Sequence, residues 1–308
     1  MALLLLGGCS ASGYYQERSH YSQRSEMPRA VTSSGAISDR EALHQAVKNA
    51  VDARKGREEL IIQAYDGDWE SDLEEIRQEL QEVYPYGNYA VETISPLIKQ
   101  EYGQTRIDLA IKYWDSAADL KDISHVVSMS DLERRVTDLL KSFVIAGGSE
   151  ASASRAYIVS GLTDDEALLR QRLLKAWSRN ADCALDLRGI QATADPKDAA
   201  ACIVEVAALY MESGEALSAK RDAINAAAEA IAGGFEGESA LDKVVYVYQW
   251  LWGNVQFDLD SLDGTRLVGL TAYDALVSRM AGQQGYALAA QVLCQALELD
   301  SQVIIGSR

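Results

Sequence analysis

Basic residues are scarce in this sequence and never form a run. There are 29 Lys and Arg against 46 Asp and Glu, a formal charge of −17, and an isoelectric point near 4.6. Without a basic stripe there is no electrostatic footprint for a nucleic acid, and none is expected as a partner. Only 4 prolines and 22 glycines occur, which excludes a collagen-like or Pro-rich chain. Four cysteines, Cys9, Cys183, Cys202 and Cys294, are too few for a disulfide scaffold in 308 residues. No C-x-x-C is present, so a zinc ribbon or thioredoxin-like motif is excluded as well. No apolar run reaches the ~18–20 residues that a membrane helix needs. Histidine is rare, and His20, His44 and His125 all fall in the first half. The second half therefore lacks the commonest general base.

What is present is globular. Apolar residues make up 48% and charged residues 24%, enough to build cores. At ~100–200 residues per domain, the length allows two or three domains.

The chain opens Met1-Ala-Leu-Leu-Leu-Leu-Gly-Gly-Cys9. A short apolar run, two small residues and a cysteine resemble the end of a bacterial lipoprotein signal, with the lipobox at Leu6-Gly7-Gly8-Cys9. That resemblance implies lipidation of Cys9 and an extracytoplasmic, membrane-anchored chain at the bacterial cell surface. Residues 1–9 are then a remnant of the signal. No Lys or Arg precedes the run and it is too short for a complete signal, as a late or missing gene start would leave it. Residues 10–37, rich in Ser, Tyr, Gln and Arg, read as a flexible tether.

An internal repeat organises the middle of the chain. Ile107 to Leu120 aligns without a gap on Val204 to Leu217, an offset of 97 residues. Leu60-Ile61-Ile62 aligns at the same offset with Tyr157-Ile158-Val159, and each run is followed by an acid, Asp66 and Asp164. Ser38 to Glu41, Ser130 to Glu133 and Thr163 to Glu166 each have the spacing of a capping box. Leu43, Val47 and Val51, like Leu132, Val136, Leu139 and Leu140, give one apolar face at helical spacing. Tyr89 to Ile94 with Arg106 to Trp114, and Ala184 to Ile190 with Ala201 to Leu209, alternate as hairpin strands. Two tandem α+β modules, each helix–strand–helix–strand–strand, are expected over 38–121 and 122–217.

The modules carry little chemistry: no Gly-rich phosphate loop, metal-ligand spacing or nucleophile elbow occurs in either. Cys183 and Cys202 fall on successive strands of one hairpin, open to a cross-strand disulfide or to buried free thiols, the second being the more frequent state. Asp66, Asp68, Glu70 and Asp72 have the oxygen donors for calcium, but acids at a helix start are ordinary dipole partners. Ser160 in Val159-Ser-Gly161 lacks a G-x-S-x-G frame. Asp258, Asp260, Asp263 and Gly264 miss the EF-hand spacing by one residue and read as a solvated loop. No cofactor or metal is implied.

The pattern changes over 218–308. Leu241, Val244, Val245, Tyr248, Leu251 and Trp252 make a strongly apolar helix ending at Gly253-Asn254. Next come Val255-Gln-Phe-Asp258, Thr271-Ala-Tyr-Asp-Ala-Leu276, Gly285-Tyr286-Ala287 and Val303-Ile-Ile-Gly306. In that order and spacing, the segment from Ser239 resembles the transglutaminase-like superfamily of papain-type cysteine enzymes, in the form carried by bacterial surface lipoproteins. The resemblance covers about 70 of 308 residues and implies a partial transglutaminase-like, mainly helical segment.

It also implies where the nucleophile belongs: two residues before Gly285, at a helix N-terminus that lowers a thiol's pKa. That position is Gln283, a carboxamide with no ionisable nucleophile. Cys294, 11 residues on, reads as a core thiol. The family's His and Asp come on later strands than Val303–Gly306, and no histidine follows His125. The expected protein is a pseudoenzyme: a surface lipoprotein with an incomplete transglutaminase-like domain, binding a protein or cell-wall ligand or acting as a structural module. The alternative is a truncated fragment of an active cysteine peptidase or cross-linking enzyme, against which Gln283 counts. An apolar face with Leu276, Leu288, Val292 and Leu293 then needs a cover: the repeats, another chain, or sequence beyond a gene cut short. Val303 to Ile305 is expected as an exposed edge strand.

Overall fold

A computed structural model describes residues 33–101, 104–160, 166–195, 201–259 and 270–304. The architecture is α+β: two four-stranded sheets built alike, followed by a mainly helical C-terminal region. Cys9, His20 and the lipobox lie outside the described residues.

In the first module β1 (Ser33–Ile37), α1 (Arg40–Asp52), β2 (Arg57–Ile62), α2 (Trp69–Glu82), α3 (Pro85–Ala90), β3 (Val91–Glu101) and β4 (Gln104–Tyr113) follow one another. The second runs β5 (Ser124–Val126), α4 (Met129–Ala146), β6 (Ser152–Ser160), α5 (Glu166–Ser178), β7 (Leu187–Asp195) and β8 (Ala201–Tyr210). Strand orders are β1-β2-β4-β3 and β5-β6-β8-β7, with the first strand of each parallel to its neighbour and the rest antiparallel. The 97-residue offset is a shared register: Leu60 stands opposite Ile107, and Tyr157 opposite Val204.

Three details differ from the expected units. Each module gains a short leading strand, and β1 lies inside the stretch assigned to the tether. Tyr89 belongs to α3, which Pro85 opens at N1, and the strand begins only at Val91. Ala184 precedes β7, which starts at Leu187. The helix caps move too. Asp39, not Ser38, caps α1 by accepting from the Ala42 N–H at 2.9 Å, and Ser128, not Ser130, caps α4 by accepting from Asp131. Thr163 lies outside the described residues. Gly147 closes α4 in the left-handed conformation, φ 63°.

Glu133, freed from capping, is buried between α4 and α5. Its carboxylate meets Arg172 Nη1 at 2.9 Å, Lys175 Nζ at 3.1 Å and Arg179 Nη1 at 3.5 Å. In the first module the polarity is reversed. Arg40 and His44 on α1 face Asp72, Glu75 and Glu79 on α2.

The sheets differ in how they are covered. β4 alternates, burying Ile107, Leu109 and Ile111, while its other face is laced by Lys99–Asp108 and Arg106–Glu59 ion pairs. β8 is instead buried on both faces over Cys202, Ile203 and Val204. Val204 and Val206 join the core beneath α4 and α5, whereas Ile203, Ala156 and Ile158 join the first module's core, where α3 packs on β7 and β8. Runs such as Tyr157-Ile-Val and Cys202-Ile-Val are therefore apolar without alternation because both faces are buried.

Beyond β8 come α6 (Gly214–Ala232), α7 (Ala240–Asn254), β9 (Gln256–Phe257), α8 (Ala272–Leu276), β10 (Met280–Ala281) and α9 (Gln283–Ala296). Ser213 caps α6, and full capping boxes start α7 (Ser239 with Asp242) and α8 (Thr271 with Asp274). The boundary drawn at 217/218 falls within α6, which packs on α4 and also on α8 and α9. That helix resolves where the cover comes from. Leu276, Leu288, Val292 and Leu293 are all buried in a core continuous with the second module. Val303 packs on this core, Ile304 is 88% exposed, and neither is in a strand. Ile305 lies outside the described residues.

Candidate functional site

The C-terminal elements converge at the start of α9. Asn254 ends α7, and β9 then lies parallel to β10, with Gln256 beside Met280 and Phe257 beside Ala281. The Gln256 N–H donates to Arg279 O at 2.8 Å, and the Asp258 N–H to Ala281 O at 3.0 Å. Gly282 then caps α9 through its backbone alone, and Gln283 is the first helical residue. Tyr286, one turn on, ties the corner together: its N–H donates to Gly282 O, its hydroxyl to Val255 O, and its ring meets Phe257 at 6.0 Å between centroids. Gln284 Nε2 donates to Leu270 O at 3.2 Å, holding the approach to α8. The Asn254–Asp258 turn, the Thr271–Leu276 run and the Gly285–Ala287 element thus share one corner.

Gln283 is exposed there, and its amide has no proton to lose at neutral pH and no lone pair nucleophilic enough for acyl transfer. Cys294 is half-buried in the last turn of α9, ~16 Å further along the axis. Burial pushes its thiol up, against a hydrogen bond from Ser301. His44 belongs to α1, with Nε2 3.4 Å from Glu79 Oε1, and His125 is exposed on β5 opposite Ile158. Both histidines are elements of the repeat sheets and helices, not of the corner at Gln283.

The remaining candidates fall into structural roles. Asp68 is the N-cap of α2, accepting from Glu70 and Ser71 N–H groups, and Asp72 accepts from the Tyr65 hydroxyl at 2.7 Å. Asp66 holds Ser38 O through its N–H at 2.8 Å, and Glu70 lies in the first turn of α2. Among the described residues, no group of three His, Cys, Asp or Glu could hold a metal ion. Asp260, Asp263 and Gly264 lie outside the described residues. Ser160 ends β6, opposite Ala201.

Cys183 and Cys202 are buried thiols, neither in a disulfide, and do not face each other. Cys183 lies in the turn before β7, near Tyr210 at one end of β8, whereas Cys202 pairs with Val159 at the other end. Of the two states left open, the structure therefore holds the more frequent one, two separate core thiols, and Cys183 stands in the turn before β7 rather than on a hairpin strand. Burial, then the Asp182 charge, pushes Cys183 up to about 12.

The apolar pattern of α7 by itself distinguishes no buried face from an exposed one. Val247 and Leu251 are buried, but Leu241, Val244, Val245, Tyr248 and Trp252 are exposed. Their spacing was visible in the sequence; which face met the core was not. Among the described residues, no helix is long and apolar enough to cross a membrane.

No family model matches this chain, and no curated protein matches it. A solved structure titled "Crystal structure of a TGase" is similar over 63% of this chain at 10% identity, with a TM-score of 0.21. This chain spans 53% of the length of that one.

Proposed function

We propose that the chain is a bacterial cell-surface lipoprotein whose C-terminal segment is a transglutaminase-like pseudoenzyme, serving as a binding or structural module. One observation supports this above the others: Gln283 is the first residue of α9, where the resemblance places a nucleophilic cysteine. A helix N-terminus there would favour a thiolate, but an amide has no charge to gain from that field. Acylation of Cys9 supplies the membrane anchor in this proposal. The ligand is a protein or a cell-wall polymer, reached by the two repeat modules, and the acidic surface disfavours polyanions.

Two experiments test the two halves separately. The full-length gene expressed in a bacterial host should yield a chain that partitions into detergent, and Cys9→Ala should stay in the aqueous phase; partitioning that survives the substitution removes the anchor. Purified chain should incorporate no labelled amine into a glutamine-bearing acceptor and cleave no peptide. Turnover that is lost in Gln283→Ala or Cys294→Ala overturns the pseudoenzyme.

A further inference from the structure

The exposed side chains of α7 are arranged in a way that selects a partner. Leu241, Val245, Tyr248 and Trp252 follow at steps of four, three and four residues, the spacing of a coiled-coil seam. They are 71%, 42%, 64% and 78% exposed, with Val244 beside them at 51%. The Tyr248 and Trp252 rings lie nearly parallel, 17° apart, with centroids 6.4 Å from each other.

The seam is also a palindrome. In an antiparallel pair of α7 helices about a two-fold axis between Tyr246 and Val247, Leu241 meets the partner's Trp252 and Val245 meets the partner's Tyr248. Each large ring then faces a smaller aliphatic group, and the same patch serves both copies, as an isologous contact requires. We propose that this chain forms a two-fold dimer with a second copy of itself through the α7 seam.

Area and charge agree with that occupant. A buried aromatic side chain covers ~150–250 Å², so at these exposures the five side chains leave roughly 500 Å² open per copy. Two copies would bury about 1,000 Å², the lower limit for a specific interface. The only charged residues of α7 are Asp242, held in its capping box, and Lys243, whose ammonium donates to Leu297 O at 2.7 Å. From Val244 to Asn254 there is no charge. The −17 of each copy therefore opposes pairing only at long range, where salt screens it. α7 is ordered before pairing, since its other face buries Val247 and Leu251 and its Tyr246 hydroxyl donates to Ile231 O at 2.7 Å. Pairing thus orders no new helix.

Sedimentation velocity on the full chain, expressed without acylation, from 1 to 200 µM tests this. A monomer–dimer equilibrium is expected, tightening several-fold between 50 and 500 mM NaCl. Val245→Lys and Tyr248→Glu should each raise the dissociation constant at least tenfold, with the wild-type melting temperature kept at concentrations where both chains are monomeric, because both positions are exposed. Mixed together, the two variants should pair again, since Lys at 245 then meets Glu at 248 across the axis. A wild-type chain still monomeric at 200 µM overturns the proposal, whether or not zwitterionic vesicles or another protein then bind the seam. A dimer that both variants leave intact places the contact on another face and overturns it as well. Variants that dissociate but do not pair on mixing overturn the antiparallel register.

Discussion

Glu133→Gln is the sharpest perturbation of the scaffold. The carboxylate is 3% exposed and lies within 2.9–3.5 Å of three cations on or just after α5. Burial alone would push its pKa up, but hydrogen bonds from Arg172 and Lys175, with their charges, outweigh this and hold it below the usual range. Removing one member of a buried ion pair costs ~3–5 kcal/mol, because the remaining charge is stranded. Here the stranded groups keep 33%, 41% and 55% of their side chains in water, which relieves much of that penalty. A loss of about 2 kcal/mol at pH 7 is expected from urea unfolding followed by tryptophan fluorescence, with Trp177 of α5 as the local reporter. The pH dependence has a definite sign. A depressed carboxylate pKa stabilises above the unfolded value of ~4.3, and that contribution is lost as pH falls through the lower folded value. The gap between wild type and Glu133→Gln should therefore be full at pH 7 and close in acid. A gap below ~0.5 kcal/mol at pH 7, or one that does not shrink in acid, would refute the assigned role.

Two further outcomes follow from packing. Gly87→Ala places a Cβ on the Leu80 carbonyl oxygen, forcing α3 away from α2 and from the second sheet it covers; a loss of about 2 kcal/mol is expected in the same unfolding assay. Cys183 and Cys202, 3% and 2% exposed, should resist alkylation at pH 8 until urea is added, as mass mapping of the labelled peptides would report; fast labelling of Cys183 in the native chain would contradict a thiol pushed up to about 12.

The repeat was legible because it is written in the core. Leu43, Val47 and Val51 against Leu132, Val136 and Leu140, and Ile107 against Val204, recur since each must fill the same place under the same sheet. The leading strands were not legible. Ser33–Ile37 and Ser124–Val126 are short and polar, and they are held by pairing to β2 and β6 rather than by their own pattern. α3 was hidden because Pro85 and Gly87 read as a turn, while its two tyrosines are buried by tertiary packing. The cap of α4 moved two residues because Ser128, with extended backbone, reaches the Asp131 N–H. Ser130 is inside the helix, and the Glu that seemed to complete its box turned inward to the α5 cations. At the corner itself, Phe257 meets Tyr286 and Leu270 meets Gln284, contacts between segments far apart in sequence that no local spacing encodes. The side of α7 left uncovered depended on where α6 and α9 came to lie, a tertiary fact that no local pattern encodes.

In the proposed pseudoenzyme, α9 begins with Gln283, which cannot act as a nucleophile, and neither His44 nor His125 lies at that corner. The proposed inactivity is tested most directly by comparing the wild-type chain with Gln283→Cys in a labelled-amine incorporation assay, with iodoacetamide labelling alongside. The new thiol, at an exposed helix N-terminus, should alkylate readily at pH 7, while neither chain transfers an acyl group to the amine. Amine incorporation by the wild-type chain, lost on heat denaturation and in Gln283→Ala, would contradict the account.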